Sequence, residues 1–292
     1  MKLSRFYDLV VKFGADRDPR KNKRAIKSYP DTAILYGDPR AQVKKILVGV
    51  DMEVGELLLA DKIRKASGLD LALAHHPEGR AYALLHEVMQ LQVDLLEEAG
   101  VSGVVARKLL SLRANEVERR ILPQNHTRSV DAARLLNIPY MCMHTPADNH
   151  VYQFLKKLMA EKKPKLVCDI IDILSKIPEY QEAKKNMSGP RLILGSLRKS
   201  VGKIFFEMTG GTEGSKDVFD KLYKTGVRTL VSMHLSEEHL KKVKDANLNV
   251  VIAGHISSDV LGLNLLLDRI EKEEKLEIIC CSGFKRVKRI AG

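Results

Sequence analysis

Nine histidines stand in the chain, and the placing of several carries its first chemical signal. His75 and His76 follow the apolar run LDLALA, and His144 follows IPYMCM. His234 follows TLVSM, and His255 follows NVVIAG. In open α/β sheets, ligands bind outside the carboxyl ends of the strands. Four such positions would deliver imidazole to one edge, as a metal site or an acid–base centre requires. Taken singly, each histidine reads as a hydrogen-bonded loop or edge residue. Taken together they do not.

Carboxylates extend the pattern. The segment His144-Thr-Pro-Ala-Asp148-Asn149-His150 sets an acid within one tight loop of two imidazoles. His255-Ile-Ser-Ser-Asp259 spaces imidazole and carboxylate four apart. A helix beginning just after Gly254 would put both on one face of its first turn. This is the logic of HExxH helices, with a carboxylate in place of the second histidine. His75 and His76 point to opposite sides if their strand continues. They reach one centre only if the chain turns, as Pro77 and Gly79 permit, and they suit two nearby ions better than one. A His and Asp donor set without Cys favours Zn, Mn, Fe, Co or Ni. Such ions lower the pKa of bound water and clamp an oxygen-rich leaving group. The matching reactions are hydrolysis of a phosphoester, an amide or a heterocyclic C–N bond. Spacing alone leaves one ion or two open.

Other patterns are weaker. Thr209-Gly210-Gly211-Thr212-Glu213-Gly214, between a strand and a helix, either admits an anion or is a close turn beside the active edge. It is neither a P-loop nor a dinucleotide fingerprint. Cys280 and Cys281 end the run LEIICC and read as small apolar core residues. Ser257 and Ser258 neighbour His255 without a separately oriented base, so they make no case for a serine nucleophile.

The elements that must position these side chains alternate strand, helix, strand. Strands are expected at Ile46–Val50, Leu69–Ala74, Ile138–Met143, Lys203–Met208, Thr229–Met233 and Asn249–Ala253. Helices are expected at 54–66, 80–99, 102–119, 127–136, 152–162, 166–176, 215–224 and 237–244, and a long amphipathic one from about 257 to 273. Sliding the sequence by 158 residues lays Lys65-Ala66-Ser67-Gly68 on Tyr223-Lys224-Thr225-Gly226, and the strand before His76 on that before His234. This suggests an internal duplication. The expected organisation is a basic leader (1–28), an α/β half (29–150), a helical connection (151–189) and a second α/β half (190–292).

Composition bounds the class. With 292 residues, 45% hydrophobic and 29% charged, the chain can bury one large or two medium cores. No apolar stretch approaches the roughly 18 to 20 residues of a membrane span, and charges interrupt the N-terminal segment as a secretory signal would not allow. Four scattered cysteines make neither a disulfide framework nor a cysteine zinc site. A cytoplasmic protein is the expectation. The formal net charge of +12 suggests nucleic acid, but residues 1–28 hold +6 of it and residues 282–292 hold +4. Basic ends of this kind read as solvated tails or assembly surfaces.

At these motifs the sequence resembles the Nif-three-like family, catalogued as GTP cyclohydrolase I type 2 proteins. The resemblance rests on DTAILYGDPRAQVKKILVGVD, on His75-His76-Pro77, on HTPADN at 144–149, on TGGTEG at 209–214 and on GHISSD at 254–259. It implies the family's α/β fold, two packed halves of mostly parallel strands with a dinuclear metal site between them. The implied ligands are His75, His76, Asp148, His255 and Asp259, with His144 as a further ligand or proton carrier. Toroidal homohexamers and GTP ring-opening hydrolysis are also implied. Asp259 stands where the family usually has Glu, one methylene longer, and the segment between the first two motifs is longer than in compact members.

Two functions follow. One is a dinuclear metal-dependent hydrolase of a small anionic or nucleotide substrate, with His144 or His234 transferring protons and Thr209, Gly210 and Gly211 seating the anion. The other is a metal-containing adaptor that binds a transcription factor or nucleic acid through its positive charge.

Overall fold

Two sheets of short strands organise the computed structural model, which describes residues 1–289. A first helix, α1 (Leu3–Arg17), precedes β1 (Thr32–Tyr36), β2 (Lys45–Gly49), α2 (Val54–Ser67) and β3 (Leu71–Ala74). Helices α3 (Gly79–Ala83), α4 (Leu85–Val88), α5 (Leu91–Ala99), α6 (Gly103–Ile121) and α7 (Arg128–Leu136) lead to β4 (Tyr140–Met143). Then come α8 (Thr145–Lys162), α9 (Val167–Leu174), α10 (Pro178–Lys185), β5 (Arg191–Leu194) and β6 (Lys203–Glu207). The chain closes with α11 (Phe219–Lys224), β7 (Val227–Ser232), α12 (Glu237–Asp245), β8 (Asn249–Ile252), α13 (His255–Glu273) and β9 (Glu277–Cys280).

The sheet orders are β1-β4-β3-β2-β9 and β5-β8-β7-β6. In both, the first strand runs antiparallel to its neighbour and the rest are parallel. The 158-residue offset reappears in the pairing. Ile46 pairs with Leu71 as Ile204 pairs with Thr229, and the irregularity between Ile34 and Tyr36 recurs between Leu192 and Leu194. The long helical segment between β3 and β4 interrupts the offset in the first half. It does not lie over the strand-end histidines. Its Val88, Leu96, Leu110 and Val117 pack with Leu230 and Val250 of the second sheet, forming an outer layer.

Burial explains the layering. Sheet residues such as Val48 and Leu73 meet α1 and α13 on one face, while Leu47 and Ala72 meet α2 and α7 on the other. The second sheet presents Phe206, Val231 and Val251 to α8, α9 and α10. Helices α8 and α13 therefore lie between two sheets. Leu263 and Leu267 of α13 face the first core while Leu261 faces the other, so its apolar surface goes most of the way round.

Three expectations change here. The basic leader is no solvated tail: Leu3, Phe6, Leu9, Val10 and Phe13 of α1 are core residues. The basic C-terminal segment is also docked, because Arg286 pairs with Asp268 and Glu271, Lys288 with Glu271, Arg289 with Glu179 and Lys285 with Glu182. The cations are neutralised by acids on α10 and α13. Cys280 is exposed on the edge strand β9 and is not a core residue, whereas Cys281 is half-buried against the core of the first sheet. Among the described residues, no helix is long and apolar enough to cross a membrane.

Gly262 sets how closely α8 and α13 approach. A β-carbon there would lie 2.6 Å from the backbone oxygen of Ala147. Alanine normally gains about 1 kcal/mol over glycine inside a helix. Here the obstacle is backbone, so Gly262→Ala is expected to lower stability by about 1–3 kcal/mol. Denaturant midpoints check this; a variant as stable as the parent would mean the helices can separate freely.

Candidate metal centre

The ends of β3 and β4 and the first turns of α8 and α13 meet at one point. The chain turns immediately after Ala74, so His75 and His76 stop alternating and both present Nε2 to Asp259. The distances are 3.4 Å from His75 to Oδ1 and 3.5 Å from His76 to Oδ2. His75 Nε2 is equally 3.4 Å from Asp148 Oδ1. His144 Nε2 lies 3.7 Å from Asp148 Oδ2, and His255 Nε2 3.7 Å from Asp259 Oδ2. Helix α13 does begin directly after Gly254, which brings His255 and Asp259 to one face. Asp259 is 1% exposed and reaches three imidazoles. Its shorter side chain therefore spans the site.

Two overlapping groups can hold a metal ion: His75, His76 and Asp259, and His75, His144 and Asp148. The hydrogen bonds behind the histidines fix which ring nitrogen is available. His75 Nδ1 donates to the Met143 carbonyl at 3.2 Å. His76 Nδ1 donates to Asp51 at 2.6 Å, and His144 Nδ1 to Asp31 at 2.9 Å. All three leave Nε2 facing inward, the arrangement that metal-binding histidines adopt. At the centre, His75 Nε2, Asp148 Oδ1 and both Asp259 oxygens are buried without a hydrogen-bond partner. Unpartnered buried polar atoms are costly, so this cluster is built for something further. The residues fit a divalent ion.

Charge says the same. Burial opposes a proton on His75, but Asp259 and Asp148 outweigh it and push its pKa up to about 10. His76, also opposed by burial, is pushed up to about 9 by Asp259 and Asp51. Burial likewise opposes ionisation of Asp259, yet His75 and His76 hold it well below the usual carboxylate range. The carboxylates thus draw positive charge to this point, as they would a metal ion.

Asp31 and Asp51 were not among the candidates read from the sequence. Each borders an apolar run quoted above, which is the grammar that picked out the histidines, but carboxylates at strand ends are too common to single out.

On the opposite wall, His234 Nδ1 lies 3.5 Å from Glu213, and the His234 and His255 ring centroids are 4.8 Å apart. Glu213 raises the pKa of His234. Thr209 Oγ1 donates to Asn149 Oδ1 at 2.7 Å. Gly210 and Gly211 have φ of +98° and +87°, and β-carbons there would strike Gln92 and Val88. Gln92 donates to the Gly210 and Thr212 carbonyls, pinning the loop at the edge of the cleft.

His150 is not part of the centre. Its Nδ1 donates back to the Pro146 carbonyl at 2.7 Å, and its buried Nε2 has no partner. Burial pulls its pKa down to about 3. Between pH 6.5 and 3 the unfolded chain binds a proton that the native state refuses, so stability falls as pH falls, by up to about 1.4 kcal/mol per unit. His150→Gln is expected to flatten the melting-temperature profile across that window. Parallel profiles for parent and variant would contradict it.

A NIF3 superfamily protein from Sphaerobacter thermophilus has the same fold, with a TM-score of 0.78 and 25% sequence identity. The match covers 94% of this chain and 97% of that one. The chain has the fold of the NIF3 superfamily. The NIF3 fold also appears at lower identity. Reduced HcgD from Methanocaldococcus jannaschii gives a TM-score of 0.55 at 17% identity, covering 96% and 97% of the two chains. A Staphylococcus aureus hypothetical protein gives 0.54 at 12%, covering 99% of both. No protein-family model and no curated protein matches the sequence.

Proposed function

We propose that this protein of NIF3 fold is a metal-dependent hydrolase with a dinuclear His and Asp centre, acting on a small molecule. The carrying observation is the set of buried, unpartnered donor atoms on His75, Asp148 and Asp259. His75, His76, Asp148, His255 and Asp259 would hold the ions. Divalent ions there supply Lewis acidity and an activated water at neutral pH. Asp31 orients His144 so that Nε2 faces Asp148, as a ligand or a proton carrier. His234, backed by Glu213, stands across the cleft in position to move a proton. The adaptor reading loses support, because the C-terminal cations that favoured it are taken up by pairs within the chain.

Elemental analysis of the purified chain, followed by a hydrolysis screen over nucleotides including GTP, phosphoesters, amides and cyclic C–N compounds, tests the reading. Turnover is expected to vanish on chelation and return with added metal. His234→Asn is expected to keep its metal while losing turnover. A chain that neither retains nor rebinds divalent metal would sink the proposal.

A further inference from the structure

We infer that the cleft beside the metal centre takes a substrate of low negative charge, whose N–H donors lie on Glu207 and Glu213, rather than a polyphosphate. The inference rests on the hydrolase reading and narrows its substrate class.

The cleft is lined by four carboxylates, Asp148, Glu207, Glu213 and Asp259, with imidazoles between them. Among the described residues, no lysine or arginine lines it. Proteins hold phosphate chains with arginine forks, lysines and free backbone N–H groups. Two of the backbone donors here are already committed to carboxylates. Gly214 N–H donates to Glu207 at 3.0 Å, and Ser236 N–H to Glu213 at 2.5 Å. The guanidinium of Arg113 is engaged by the Glu213 carbonyl and by Glu116. A triphosphate there would lie against Glu207 and Glu213 with no lysine or arginine among the described lining residues to offset its charge.

Those two side chains have acceptor capacity to spare. Glu207 Oε2 has only the Ser232 hydroxyl at 3.4 Å, and that hydroxyl makes a shorter bond, 2.7 Å, to the His234 carbonyl. Glu213 Oε2 lies 3.5 Å from His239 Nδ1, which is already bonded to Ser236 Oγ at 2.7 Å. An ionised carboxylate such as Glu213 has about four acceptor sites, whereas burial raises the pKa of Glu207, whose Oε2 is an acceptor in either form. Burial opposes the charge on Glu213, but His234, His239 and the Ser236 amide outweigh it and hold its pKa down to about 2. Asp148 and Asp259 line the same cleft, so a molecule seated against Glu207 and Glu213 lies beside the metal-binding carboxylates. A molecule with an amide, amidine or amino-substituted ring completes both walls. Of the bond classes the donor set admits, this favours C–N.

The test titrates the metal-loaded full chain with 2-aminopyrimidine, benzamidine and inorganic triphosphate by calorimetry. Both N–H donors are expected to bind, and Glu213→Gln to weaken them about 10-fold or more at unchanged metal content. The same variant is expected to strengthen triphosphate, because it removes a repulsive charge. The neutral aminopyrimidine separates N–H donation from bare positive charge, and Glu207→Gln serves if Glu213→Gln fails to fold. Triphosphate binding 10-fold tighter than either donor, donor binding indifferent to both variants, or no donor binding at all would overturn the inference. Absence of metal in these samples would instead count against the hydrolase reading, and the donor titrations repeated on metal-free protein would still judge the inference.

Discussion

Asp259→Ala should leave a folded protein that no longer holds its metal. Both Asp259 oxygens face the centre, one toward His75 and the other toward His76 and His255. Losing a residue that merely supports a ligand typically costs about 10- to 100-fold in metal affinity. Losing the carboxylate common to three imidazoles should exceed that, and turnover should fall with metal content. Stability should suffer less. Removing one partner of a buried ion pair costs about 3–5 kcal/mol when the other stays charged. His75 and His76 can instead release their protons, because Asp259 is a principal cause of their raised pKa. Metal retained after dialysis, measured beside a thermal melt, decides the matter. Full metal content in a folded Asp259→Ala protein would mean that the site lies elsewhere.

The second large effect is expected at a residue that touches no metal position. Asp31 is fully buried and accepts from His144 Nδ1 at 2.9 Å, Thr145 Oγ1 at 2.6 Å and the Thr145 amide at 3.3 Å. It fixes the His144 ring and the entry to α8 together. Asp31→Ala strands three buried donors, each costing about 1–3 kcal/mol when left unmade, so a loss of about 3 kcal/mol or more is expected. Asp31→Asn keeps the volume but cannot anchor the ring as a carboxylate does. It is expected to lower metal affinity about 10- to 100-fold with a smaller stability loss. Calorimetric metal titration and denaturant unfolding separate the two effects. Unchanged affinity in Asp31→Asn would show that the orientation of His144 is immaterial to the centre.

Much of the site was legible because the rules that place it are local. A strand ends where its apolar run ends, so His75, His144, His234 and His255 could be assigned to strand ends. The single edge expected for them is two, since β3 and β4 belong to one sheet and β7 and β8 to the other. Helical spacing put His255 and Asp259 on one face once Gly254 marked the helix start. The same reasoning misplaced His150, whose ring turns back onto its own helix. It also misread both basic ends, since charge counts do not reveal the acids that meet them. Arg286 finds Asp268 and Glu271 only after the chain has reversed beyond α13.

The sequence by itself determined the donor types, their delivery at strand ends and helix starts, and the 158-residue repetition, all consequences of local periodicity. Only the tertiary structure decided which nitrogen of each imidazole is free. That choice rests on Met143, Asp51 and Asp31, which are distant in sequence and are brought behind the rings by sheet pairing and helix packing. Ligand identity is a property of residues; ligand readiness depends on the hydrogen bonds that folding places behind them.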